Sequence, residues 1–429
     1  MLYGGTKGER RGVRKAFRGK FADGGGRPMW GVAFAFVLAL LLAVSGCAGQ
    51  ATQPGGTTKE TPTLTVIAGW SGDEEKQFRP VLEEAEKELG IKINYQIQRL
   101  EDLQNVLPAQ FSAKKTPGDV IFVSSSWFVT SNAQHLEDLR SIWTEPDKFR
   151  LSAVEADGKI VGVPYALSVK PGFWYRKSFF QANGLEPPKS WDDFRNLLTK
   201  MRGIPGVKNP IVSGDSVGWP LSDVVEHFLI TFGGPQLQLD LIDNKVKWQD
   251  PKVKEIFAER IVPLLQDKSF SAPTDWTSAV DLWWNGEYGL YFMGNWITGM
   301  VKDPNDLGVF PLSGDKGVVG GADYIMVPTY GAHKDEAKKL VEFLISKKGM
   351  EIRVKQGGKL SSRTDTPVDI YPPADRAVAE AIQGMEILPD LDDTIGGKWQ
   401  NTFWDQLKLL WVKPGDLDSV LKTLDDARK

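Results

Sequence analysis

NGEYGLYFMGNWITGM, residues 285–300, is the most telling segment of the chain. It opens on a turn at Gly286-Glu287, continues as an apolar, strand-like run over 289–293, and ends in Gly294-Asn295-Trp296. A glycine at a strand's end removes side-chain bulk, and an indole just beyond it can form a flat wall beside the space left open. Taken alone, the stretch favours a core tryptophan at a sheet corner. The rest of the chain moves the reading of Trp296 towards a cavity wall.

Working outward, the flanking segments alternate between strand and helix. Residues 64–67 form a short apolar strand, followed by the polar loop Gly69-Trp70-Ser71-Gly72-Asp73. A helix over 74–89 places Phe78, Val81, Leu82, Ala85 and Leu89 on one face and stops at Gly90. Ile91, Ile93, Tyr95 and Ile97 then alternate with polar residues as in a half-buried strand, a helix covers 101–113, and 119–123 reads as a buried strand. This pattern predicts an α/β fold with parallel pairing and right-handed crossovers, and a ligand site beyond the carboxyl ends of the strands. The loops expected there, 70–73 and 124–127, are both polar and both carry a tryptophan.

Towards the middle of the chain, 160–165 and 170–177 read as strands, and Ser190 caps a helix. Helices follow over 221–232, 253–266 and 278–284. Beyond the opening stretch come a strand at 307–312, another after Gly320-Gly321, an amphipathic helix over 333–347, and a largely helical remainder carrying Trp399, Trp404 and Trp411.

A chain of 429 residues suits two domains or one large two-lobed one. Charged residues make up 25% and the formal net charge is −3, which gives no basic field for nucleic acid. The 15 tryptophans suit a surface that must be apolar and hydrogen-bonding at once. Residues 1–28 are basic, 29–46 carry no charge, and the run ends in Ser45-Gly46-Cys47. That is the layout of a secretory signal with a lipobox-like end. Cleavage after residue 46 would leave Cys47 as a lipid-bearing N-terminus, with 47–62 as a flexible tether. The alternative is an uncleaved membrane anchor. Either places the body outside the cytoplasm, and a lone cysteine excludes an internal disulfide and a thiolate metal site.

The motifs, taken in order, carry a resemblance. They are Trp70-Ser71-Gly72-Asp73, Pro117-Gly118-Asp119-Val120, Asp157-Gly158-Lys159 with Gly162-Val163-Pro164-Tyr165, Trp174-Tyr175-Arg176-Lys177, Pro187-Pro188-Lys189-Ser190-Trp191-Asp192-Asp193-Phe194, the opening stretch, and Gly320-Gly321 ahead of a helix over 336–344. The set resembles the family 1 extracellular solute-binding proteins, the sugar receptors of ABC importers, of which maltose-binding protein is a member.

The resemblance implies a type II periplasmic-binding-protein fold of two α/β lobes, 63–167 plus 322–360 and 170–319 plus 364–429. Hinge crossings are then expected near 167–170, 319–324 and 358–364. It further implies a carbohydrate held between the lobes, a permease as partner, membrane attachment through lipid on Cys47, a monomer, no nucleic acid, no cofactor and no metal. By position in the family pattern, Trp70, Asp73, Ser125, Trp127, Tyr165 and Ser168 face the ligand from one side. Trp219, Trp296 and Trp399 face it from the other, with Gly320, Gly321 and Arg363 at the crossings. Trp404 competes with Trp399 for one stacking role, while Trp191, Trp248 and Trp411 read as packing residues.

No carboxylate pair sits in a recognisable catalytic motif. His135, His227 and His333 are isolated, with no H-E-x-x-H and no serine elbow. The chain is therefore expected not to be an enzyme. The alternatives are the same fold holding a polyamine or other non-sugar solute, or a surface-anchored glycoside hydrolase.

Overall fold

Two β-sheets carry the architecture of the computed structural model, which describes residues 61–312, 317–382 and 385–429. The leader, Cys47 and the tether up to residue 60 lie outside the described residues. The described strands are β1 (Thr63–Ala68), β2 (Lys92–Ile97), β3 (Val120–Val123), β4 (Val154–Ala156), β5 (Lys159–Lys170), β6 (Phe173–Arg176), β7 (Asn209–Val212), β8 (Tyr288–Phe292), β9 (Leu307–Phe310), β10 (Gly317–Met326), β11 (Leu360–Ser361) and β12 (Glu386–Pro389).

In the first sheet β1 lies between β2 and β3, parallel to both, with Leu64 opposite Ile93 and Val66 opposite Val120. The crossover helices Asp73–Leu89 and Leu100–Ser112 bury Phe78, Val81 and Leu82, and Leu103, Leu107 and Phe111 respectively. Period-four apolar spacing puts these side chains on one helix face, so both faces of the sheet are covered. Beyond β3 the expected parallel order gives way, because β10 and β5 pair antiparallel. The sheet is mixed.

The second sheet has the order β7-β8-β6-β9. Its core holds Phe173, Phe194, Phe228, Leu290 and Phe292, extended by Phe403, Leu407 and Leu410 of the helix Gly397–Val412. The segments read from sequence as two strands, 160–165 and 170–177, are one long β5 and a short β6, separated by Pro171-Gly172. Gly172 has φ +139°, and a Cβ there would lie 2.2 Å from the Phe310 carbonyl oxygen, so only glycine fits this passage from the first sheet to the second.

β9 belongs to the second sheet and β10 to the first, so the chain returns between them. A third passage follows β11, which pairs with β5 through Leu360 opposite Leu167. The remainder contains a strand the sequence reading lacks. β12 pairs in parallel with the start of β10, Gly317 opposite Glu386, and so brings residues 390–393 close to the passages.

Candidate ligand-binding cleft

The strand ends, the loops after them and the passages surround a cavity of about 210 Å³. Five indoles line it: Trp70, Trp219, Trp276, Trp296 and Trp404. Trp70 stands in the loop after β1, wedged edge-on against Phe78 at 4.8 Å between ring centroids. Its carbonyl accepts from the Tyr95 hydroxyl at 2.7 Å. Trp219 lies 5.5 Å from Trp276 and 5.8 Å from Trp296. Trp296 follows β8 at the head of a 3-10 turn, Asn295–Gly299, and Asn295 Oδ1 accepts from Val169 N at 2.8 Å. That bond anchors the Gly-x-Trp turn to β5.

Charge is concentrated on the same walls. Lys359, just before β11, is 4% exposed, and its ammonium lies 2.9 Å from Asp323 Oδ2 and 3.4 Å from Ser168 Oγ. The ammonium also stands 5.2 Å and 5.7 Å from the Trp70 and Trp296 ring centroids. One lysine thus ties β5 and β10 to the segment that leads into β11. Asp323 lines the cavity where the β5–β10 register slips, between Asp323 and Tyr324, and such an irregularity re-aims a side chain.

Opposite, Lys170 pairs with Asp223 at 3.1 Å and with Asp390. Burial pushes the Asp390 carboxyl up, but the Lys170 ammonium together with hydrogen bonds from Asp392 and the Asp393 main chain holds the group below its usual range. Burial raises Asp223 and Asp393 to about 7 each. Asp392, also raised by burial and by Asp390, accepts from Ser222 Oγ at 2.9 Å and from Trp404 Nε1. Acidic groups on this wall therefore take up protons easily, and Lys170 is the counter-ion that Asp223 and Asp390 share. Such an arrangement of rings, carboxyls and ammonium groups suits a polyhydroxylated, partly apolar solute.

Of the residues expected at the site, Trp70, Ser168, Trp219, Trp296 and Gly321 line this cavity. The others lie elsewhere. Asp73 is exposed and pairs with Lys76 at 2.6 Å, at the edge of a separate depression. Ser125 is fully buried, where its Oγ accepts from Phe128 N at 3.2 Å and donates to the Asp393 carbonyl at 3.0 Å. Trp127 packs flat on the backbone at Gly396. Tyr165 is wholly buried beside Phe122 and Phe78. Gly320 faces Ile387. Arg363 is engaged by Asp365 at 2.8 Å and Glu145 at 3.1 Å. Trp399 stacks on Phe403 at 4.9 Å and donates to the Leu424 carbonyl at 3.1 Å, which leaves Trp404 as the cavity residue of that helix.

A sequence profile described as bacterial extracellular solute-binding protein matches residues 69–351. An ABC transporter extracellular-binding protein of Pyrococcus horikoshii is 52% identical over 414 residues, covering 92% of this chain and 97% of the relative. The chain belongs to the bacterial extracellular solute-binding protein family.

This solute-binding protein is the extracellular binding component of an ABC transporter, and its family is a binding class rather than an enzyme class. Among the described residues no helix is long and apolar enough to cross a membrane. An osmoprotective compounds-binding protein of Synechocystis sp. is 22% identical, over 90% of this chain and 96% of that relative. Among solved structures, the bacterial solute receptor AcbH, described as having an exclusive preference for β-D-galactopyranose, superposes with TM-score 0.78 at 18% identity, covering 86% of this chain and 99% of its own. Maltose-bound MalE3 of T. maritima gives TM-score 0.72 at 18% identity, with coverages of 86% and 99%. At such identities the likeness carries the fold, which is the maltose-binding-protein-like type II arrangement of two sheets flanked by helices.

Sequence reasoning missed several cleft residues of this solute-binding protein. Glu74 lines the cavity, one position beyond Asp73 on the same helix. Lys170 and Lys359 were legible as lying at expected crossings. The acidic run at 390–393 had no motif to flag it, because only the pairing of β12 with β10 brings it to the site.

Proposed function

We propose that the protein captures a carbohydrate, an oligosaccharide or glycoside, between two lobes and hands it to the permease subunits of its transporter. The lobes are 63–167 plus 322–360 and 170–319 plus 364–429, hinged at the three passages. The observation that carries this reading is the five-indole cavity with hydrogen-bonding groups at its rim. Indole planes cover the C–H faces of a pyranose, while amides, hydroxyls and carboxyls take its hydroxyl rim. Each buried hydroxyl left without a partner costs about 1–3 kcal/mol, and this is the source of selectivity. Trp70, Trp219, Trp296 and Trp404 are the stacking residues, and Ser168 and Gly321 belong to the rim. The similar solved receptors, AcbH with its preference for β-D-galactopyranose and maltose-bound MalE3, support this class of cargo.

Attachment to the membrane through lipid on Cys47 and a monomeric state belong to the same reading. Mass spectrometry of protein recovered from membranes tests the former, with an acylated N-terminal peptide starting at Cys47 as the expected result. Ligand class is tested by a melting-temperature screen of mono- and oligosaccharides, with putrescine, metal salts and a chromogenic glycoside on the same plate. Stabilisation by sugars alone, without release of chromophore, is expected. Stabilisation by putrescine alone, or turnover of the glycoside, replaces the reading.

A further inference from the structure

The cavity is rich in acids. Seven carboxyl groups line it beside three cationic side chains. The Lys359 ammonium is engaged by Asp323, and that of Lys170 by Asp223 and Asp390 together. Asp223 is only 2% exposed, and although its Oδ1 meets Lys170, its Oδ2 has no hydrogen-bond partner among the described residues. Asp392 and Asp393 share this wall, where Ser222, Gln400 and Trp404 offer them neutral donors only. A carboxyl oxygen that is buried, unpartnered and part of a cavity lining is short of a donor from within that cavity. A neutral hydroxyl supplies a weak donor there, whereas a cation supplies a strong one and offsets the charge as well.

The opposite wall is also suited to a cation, since it already holds the Lys359 ammonium over two indole faces. A divalent metal fits less well. Asp223, Glu226 and Asp390 oxygens lie within 4.8 Å of one another, as do those of Asp390, Asp392 and Asp393, but the Lys170 ammonium already bonds Asp223 and Asp390, while Ser222, Gln400 and Trp404 already donate to Asp392 and Asp393.

Resting on the carbohydrate reading above, we propose that the solute is an amino sugar, a hydroxylated ring whose protonated amine is received by the wall of Asp223, Asp392 and Asp393. The rings take the sugar face, and the unpartnered Asp223 oxygen takes one N–H of the ammonium. Burial holds Asp223 and Asp393 at about 7, so an arriving ammonium draws them into the ionised form and releases protons near neutral pH.

The test is calorimetric titration of the full-length protein in detergent with glucose-, galactose- and mannose-skeleton mono- and disaccharides. Each is offered in three forms, with hydroxyl, ammonium or N-acetyl at C2, alongside putrescine and calcium chloride. For whichever skeleton binds, the ammonium form is expected to bind at least about tenfold more tightly than the other two. Its heat should also vary with the ionisation enthalpy of the buffer, reporting proton release. Asp223→Asn should shrink the preference to within about threefold. The N-acetyl comparison is made on the unaltered protein and stands even where the variant fails to fold.

A hydroxyl or N-acetyl form that binds as well as the ammonium form overturns this inference and leaves the carbohydrate reading intact. A preference untouched by Asp223→Asn overturns the assignment to this wall. Binding of putrescine or calcium alone, or of nothing in the panel, overturns both.

Discussion

Trp296 and Trp399 are both large, both largely buried and both within reach of the site by sequence, yet their indoles do different work. Trp296 has one face on the cavity, whereas Trp399 lies between Phe403 and Trp248 with its N–H bonded to Leu424. Trp296→Ala is expected to weaken ligand capture by about 2 kcal/mol, roughly thirtyfold in Kd, with little change in stability. Trp399→Ala is expected to cost about 3–5 kcal/mol of stability and leave the Kd of the folded protein unchanged. Titration and urea denaturation of both variants separate the two roles, and a reversed pattern would return Trp399 to the ligand.

Asp215 belongs to the same scale. It is fully buried, neither carboxyl oxygen has a hydrogen-bond partner among the described residues beyond its own main chain, and burial raises it from 3.8 to about 8. The native state therefore holds this proton more tightly than the unfolded chain, so the group's contribution is complete below about pH 4 and is lost as pH rises through 8. Asp215→Asn should melt with the wild type near pH 4 and progressively further above it as pH rises to 9. Parallel pH profiles for the two proteins would show that the carboxyl is solvated.

At the scale of elements, the helix Trp219–Gly233 sets two of the cavity walls through its first residues. Gly218, its N-cap, has φ +114°, and a Cβ there would meet Trp404 Cβ at 2.5 Å. Gly218→Ala should cost about 1–3 kcal/mol of stability and weaken ligand binding as well, because Trp219 and Trp404 are displaced together. Loss of stability with an unchanged Kd would mean that these two indoles do not touch the solute.

The same scale explains what was legible in the sequence. The Gly-x-Trp turn, the strands β1 to β3 and the helices between them are local patterns, and they were read from spacing alone. Trp399 and Trp404 are five positions apart on the helix Gly397–Val412, which puts them about 140° apart around its axis. No local signal says which of those faces meets the cleft, because packing against Phe403, Trp248 and Leu424 makes the choice. Asp73 and Glu74 differ by one position, about 100°, and the exposed member was expected where the buried one lies. The mixed pairing in the first sheet escaped for a related reason, since β10 meets β3 across some two hundred residues of chain.

For the whole molecule, on the two-lobe reading proposed above, the polar bonds that join the sides of the cleft include three made by side chains of the first lobe. Gln77 Nε2 donates to the Gly299 carbonyl at 2.7 Å, Gln104 Nε2 to Gln400 Oε1 at 3.2 Å, and Ser125 Oγ to the Asp393 carbonyl at 3.0 Å. Each is worth about 1 kcal/mol net, and each exists only while the sides are together. A ligand that binds both sides adds its own contacts to these and shifts the population towards the closed arrangement. At a hundred times its Kd such a ligand should raise stability by about 2.7 kcal/mol and reduce the radius of gyration in solution scattering.

Replacing Gln77 and Gln104 together by alanine removes two of the bonds and touches none of the stacking indoles. The closed fraction falls, and apparent affinity falls with it by up to about tenfold, because Kd scales inversely with the competent fraction. Scattering of the ligand-free variant should then show a larger particle than the wild type, and saturating ligand should bring the two to the same size. A variant with wild-type affinity and wild-type dimensions would mean that the sides are held together by the three passages and their apolar packing, with no closing motion for the ligand to drive.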